Sequence, residues 1–104
     1  MKSTAPVEEV LGLFREQAAM WVRLLDPEDQ AGAWRDGAHT LKGSARGIGA
    51  FALADACEAA ELAGPDAGQR TVLLDRVKDA LGAALSDIAA YLHERELQRI
   101  KRPS

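Results

Sequence analysis

A single cysteine, Cys57, is present among 104 residues. It excludes an internal disulfide framework and supplies no metal-ligand spacing, so no metal site is expected, a reducing compartment is, and the cytoplasm is the default. No apolar run approaches the ~20 residues needed to cross a bilayer, and the N-terminus lacks the charged-then-apolar order of a secretion signal. A membrane is not expected among the partners. Charge of one sign is missing as well. The 13 Lys and Arg are interspersed with 16 Asp and Glu for a net charge of -3. That leaves Arg99, Lys101 and Arg102 as a short basic tail and no footprint for nucleic acid. There is no internal repeat, and no low-complexity stretch beyond an alanine-rich helical bias. No segment alternates with period two through β-branched residues, so strands are not expected. Nor is there a nucleotide loop. Gly43-Ser44-Ala45-Arg46-Gly47-Ile48-Gly49 lacks a following Lys-Ser/Thr, and the residues before it read as helix.

What the chain does have is helical periodicity with clear punctuation. Its length suits one domain, residues 1–104, with one core and no room for a kinase domain beside it. Any phosphate chemistry must therefore borrow from a partner. Beginning at Met1 and ending in a polar tail, the chain reads as complete. A first helix is expected over about 5–25, with Pro6, Glu8 and Glu9 in its first turn and a core stripe of Val7, Leu11, Phe14, Ala18, Trp21 and Leu25. Asp26-Pro27-Glu28-Asp29 reads as a cap and acidic first turn opening a second helix over about 27–46. Gly47 and Gly49 break it. A third helix, about 50–63, stops at Gly64-Pro65. A fourth, about 69–98, carries Leu74, Val77, Leu81, Ala84, Ile88 and Leu92 at spacings of three and four. Four such helices with short loops bury their stripes most simply as an all-α, antiparallel up-down four-helix bundle.

On the second helix the apolar positions are Trp34, Ala38, Leu41, Ala45 and Ile48. At ~100° per residue His39 projects roughly 140° from the centre of that stripe, out into water. Arg35, Lys42, Gly43 and Arg46 fall around the imidazole at helical spacings. An exposed imidazole with an ordinary pKa of ~6.5 offers an unprotonated ring nitrogen at cellular pH, the nucleophile that phosphorylation requires. The cations offset the charge of an attached phosphoryl group, and Lys42 is best placed to do so. Glycine inside a helix costs ~1 kcal/mol relative to alanine. Clearance for a phosphoryl group and an approaching partner is a sufficient reason for Gly43, although Gly32, Gly37 and Gly43 together could equally mark a weak helix. His93, on the last helix among Glu94, Arg95 and Glu96, reads as an ordinary solvated residue.

The segment from Ala38 to Glu61 resembles the histidine-containing phosphotransfer (HPt) domains of two-component phosphorelays. The residues that carry the likeness are His39, Leu41, Lys42, Gly43 and Ser44, then Gly49 ten residues after the histidine, then Leu53, Cys57 and Glu61 on the third helix. Two departures are Ala60, where the family often has a larger aliphatic residue, and the loop entry Arg46-Gly47. The resemblance implies that His39 is the phosphoacceptor, modified on Nε2, that Lys42 stabilises the phosphoryl group and that Gly43 gives access. It implies receiver domains of response regulators and a hybrid histidine kinase as partners, with no cofactor bound by this chain and Mg²⁺ supplied by the receiver. The chain is then a phosphotransfer intermediate without kinase activity of its own.

A receiver would dock around His39, with Arg35, Arg46, Ala50 and Phe51 as the candidate contacts. Phe51 lies roughly 160° round from Leu53 at ~100° per residue, so it either anchors a partner or covers the end of the bundle. The rival readings are a non-catalytic helical adaptor or dimerisation module, and an HPt input domain cut from a histidine kinase. The first is favoured by Leu13, Met20 and Leu24, which fall together away from the core stripe of the first helix. Partial burial against a bundle end is the expected explanation for those three.

Overall fold

The computed structural model describes residues 6–29 and 32–101. Ala5, residues 30 and 31, and Arg102, all parts of expected segments, lie outside the described residues. Four helices form: α1 over Val7–Leu24, α2 over Ala33–Gly47, α3 over Phe51–Leu62 and α4 over Ala67–Lys101. They run alternately up and down, and each packs on its two neighbours in a ring, α1 on α2 and α4, α3 on α2 and α4. Among the described residues there is no strand.

Local chemistry explains most of the boundaries. The Pro6 carbonyl accepts from the Glu9 and Val10 amides, and Glu8 and Glu9 lie in the first turn of α1 with Arg23 in its last, matching the helix dipole at both ends. Asp66 Oδ1 accepts from the Gly68 and Gln69 amides at 2.8 and 3.2 Å, which starts α4 two residues earlier than the spacing predicts. Gly49 adopts φ 83°, the left-handed turn between α2 and α3.

The expected second helix differs at its start. Asp26-Pro27-Glu28-Asp29 forms a turn rather than a helix: Asp26 Oδ1 accepts from the Glu28 amide, and the Asp26 carbonyl from the Asp29 amide. α2 begins only at Ala33, after Gly32 at φ 86°. The reason is tertiary. Leu25 leaves α1 in extended conformation to enter the core, and Arg70 Nη1 of α4 donates to the Asp29 carbonyl at 3.0 Å. The loop is held as a loop.

Phe14, Ala18, Val22 and Leu25, Trp34, Ala38, Leu41 and Ala45, Leu53, Ala54, Cys57 and Ala60, and Leu74, Val77, Leu81 and Ile88 make the core. On α1 the stripe is rotated from the expected one. Val22 is buried, Trp21 is half-buried at the edge, and Val7 at the helix start is exposed. Leu13, Met20 and Leu24 are exposed too, so burial against a bundle end does not account for them. The glycines of α2 have different reasons. A Cβ on Gly37 would stand 2.9 Å from Cδ2 of the buried Leu25, so a larger residue there would force the Leu25 side chain to shift. A Cβ on Gly43 would meet nothing.

Candidate functional site

Apolar residues at spacings of three and four turn the opposite face of α2 outward, and His39 sits on it with its side chain 66% exposed. Its Nδ1 lies 2.9 Å from Glu61 Oε2, across the α2–α3 groove. A carboxylate can only accept, so Nδ1 carries the hydrogen and donates it; the lone pair of the neutral ring is then on Nε2. The other oxygen of the same carboxylate, Glu61 Oε1, pairs with Lys42 Nζ at 2.6 Å. Glu61 thus bridges the imidazole and the ammonium. The hydrogen bond from Lys42, and then that from His39, hold the Glu61 carboxyl below the usual carboxylate range against the opposing effect of desolvation.

The three cations of α2 fare differently. Lys42 folds against Glu61 with only 14% of its side chain exposed. Arg46 pairs with Glu58 of α3 at 2.9 Å. Arg35 is exposed and makes no ion pair among the described residues; with Glu61, Gly64 and Arg70 it lines a cavity of about 320 Å³. Gly43, one turn beyond His39, is open to solvent. Ala50 is half-buried against the core, whereas Phe51 at the start of α3 is 65% exposed, the outward of its two expected positions. His93 is exposed on α4, away from this cluster in the chain. Cys57 is buried beneath the site, and burial pushes its thiol up to about 11, so it is no nucleophile at neutral pH.

Sequence spacing on α2 alone misses two elements. Glu61 enters as a family position, with no indication that it joins His39 to Lys42. Trp34 reads only as a core residue, yet its buried Nε1–H donates to the Ala60 carbonyl at 2.7 Å. The signal for that second contact is chemical: a buried indole N–H needs an acceptor.

The fold and site define a helical bundle that presents one oriented, solvent-facing histidine. The Hpt domain family matches the chain over residues 7–91, and the chain belongs to it. The crystal structure of histidine phosphotransferase ShpA from Caulobacter crescentus is similar, with 53% sequence identity, a TM-score of 0.71, and 91% of this chain and 83% of that one covered. No curated protein matches. α4 runs on to Lys101, beyond the last residue matched by the family. Among the described residues no helix is long and apolar enough to cross a membrane.

Proposed function

We propose that this protein relays a phosphoryl group between His39 and aspartates of response-regulator receiver domains. Phosphorelay histidine phosphotransfer is the role of the family to which the chain belongs. The observation that carries the assignment to His39 is its Nδ1–H held by Glu61 while the rest of the ring stands in water.

The reaction follows from that arrangement. The Nε2 lone pair attacks the phosphorus of a receiver aspartyl phosphate, the bond from phosphorus to the aspartate oxygen breaks, and the carboxylate leaves with the electron pair. Positive charge develops on the imidazole as Nε2 becomes bonded to phosphorus, and Glu61 faces the Nδ1–H that shares it. Lys42 neutralises Glu61 and stands one turn from the acceptor, where it offsets phosphoryl charge. The receiver contributes Mg²⁺ and most of the stabilisation that so loose a transition state needs. Transfer back to a receiver is the same path reversed. Receivers and a hybrid kinase are the partners of this reading, and the cytoplasm its compartment.

Receiver domains of the source organism, loaded from radiolabelled acetyl phosphate, test it. Wild type and His39→Gln are compared for acid-labile label, with His93→Gln as control. His39→Gln is expected to accept none while remaining folded, because the side chain is 66% exposed and takes no part in the core. Acceptance by His39→Gln, or its loss in His93→Gln, contradicts the assignment.

A further inference from the structure

Glu61 can serve His39 and Lys42 together only if α3 lies at one axial position along α2. A shift of one residue along a helix moves a side chain by ~1.5 Å and turns it by ~100°. Either movement takes the carboxylate off the imidazole. The buried residues of α3 are Leu53 and the small Ala54, Cys57 and Ala60, so apolar packing sets this position together with directional contacts and not alone. A directional contact is needed, and the structure contains one beside Glu61.

We propose that Trp34 is a positioning residue for phosphotransfer: its indole N–H, bonded to the Ala60 carbonyl, sets the register of α3 on α2 that places Glu61 between His39 and Lys42. Trp34 is in the first turn of α2 and is 1% exposed. Ala60 lies in the last turn of α3, where the helix leaves carbonyls without their usual amide partners. Its oxygen receives the Ala63 amide at 3.2 Å and the indole at 2.7 Å. The methyl side chain at position 60 leaves room for the indole to reach the backbone, which gives a physical use to that departure from the family pattern. Arg70 completes the clamp. Its guanidinium lies 5.2 Å from the centre of the Trp34 ring, its Nε donates to the Gly64 carbonyl just after α3, and its Nη1 donates to Asp29 just before α2. One arginine of α4 thereby holds the indole and both segments that flank the α2–α3 pair.

The consequence is chemical rather than merely structural. A histidine without a partner at Nδ1 tends to carry its proton on Nε2, which removes the lone pair that must attack phosphorus. Through Glu61, Trp34 keeps that proton on Nδ1. The inference rests on His39 being the acceptor, but its primary test does not require phosphate. Trp34→Phe keeps an aromatic ring and removes the donor. Nitrogen-15 NMR of the unphosphorylated protein then reads the His39 ring directly. Wild type is expected to show Nδ1 protonated and Nε2 unprotonated; Trp34→Phe is expected to show a larger share of the Nε2–H form. Transfer from the labelled receivers should fall about fivefold, the ratio set by one neutral hydrogen bond. In a Glu61→Ala background the same substitution should cost nothing further, because the residue it acts through is gone. If Trp34→Phe does not fold, 3-benzothienylalanine incorporated at position 34, which keeps the bicyclic ring and replaces the N–H by sulfur, carries the same expectations. An unchanged ring signature in the folded variant, or an equal loss of rate with and without Glu61, overturns the proposal. Failure of wild type to accept phosphate overturns the assignment of His39 instead, and leaves the ring measurement to decide Trp34.

Discussion

Lys42 and Glu61 are paired at 2.6 Å, with 14% and 13% of their side chains exposed, so the ammonium nearest the candidate acceptor along α2 is already engaged by a carboxylate from α3. Removing the lysine therefore has two effects. It takes away a cation, and it leaves an unneutralised carboxylate beside the place where a phosphoryl group would sit.

Lys42→Ala is accordingly expected to slow transfer roughly tenfold or more, the loss set by one charge-assisted hydrogen bond, and to shorten the life of the phosphorylated form. Lys42→Ala combined with Glu61→Gln should recover part of that rate, since the unneutralised negative charge is gone. Transfer kinetics across a range of ionic strength check this. Equal rates for wild type and Lys42→Ala throughout would remove the role.

Gly37 and Gly43, on the same helix, should respond to alanine with opposite signs. Gly37→Ala forces a methyl against Leu25 Cδ2 at 2.9 Å and is expected to destabilise by about 1–3 kcal/mol, as overpacking does. Gly43→Ala meets open space, and the better helix former should add ~1 kcal/mol, a rise of ~4 °C or more in Tm for a domain of this size. If clearance for a partner is the reason for the glycine, the stabilised Gly43→Ala protein transfers more slowly. Thermal melts paired with transfer assays decide it, and full activity in Gly43→Ala would contradict the access role.

Phe51→Ala should weaken receiver binding while leaving Tm nearly unchanged, because the ring is 65% exposed and contributes little to the core. An aromatic anchor at an interface often carries ~2 kcal/mol or more. Calorimetric titration against a receiver that accepts phosphate provides the number. Unaltered affinity would move the docking surface elsewhere.

The Glu61 carboxyl is held below its ordinary value of 4.5, chiefly by Lys42. For a carboxyl lowered by folding, the unfolded chain takes up the proton first as pH falls. The stability from this contact is fully present above 4.5 and is lost as pH drops through the lowered folded value. Melting curves of wild type and Glu61→Gln should differ by a constant amount from neutral pH down to about 5 and converge in stronger acid. A difference that survives at the acid end would mean the carboxylate charge is not what stabilises.

Much of this protein is written in local pattern. Apolar residues at spacings of three and four mark the four helices, and the same period turns His39 away from Trp34, Ala38, Leu41 and Ala45, because the angle between two residues of one helix depends only on how far apart they lie. The exposure of His39 and the open position of Gly43 follow from that geometry. The start of α2 does not: Asp26-Pro27-Glu28-Asp29 suits a turn as well as a helix cap, and the burial of Leu25 and the bond from Arg70 to Asp29 select the turn. Nor does helical period say that Lys42 and Arg46 are paired with Glu61 and Glu58 while Arg35 makes no ion pair among the described residues. Those partners lie on another helix, and which of them meet depends on the axial position of α3 along α2. A single helix's sequence carries no coordinate for that displacement; packing, the Trp34–Ala60 hydrogen bond and the Arg70 contacts supply it.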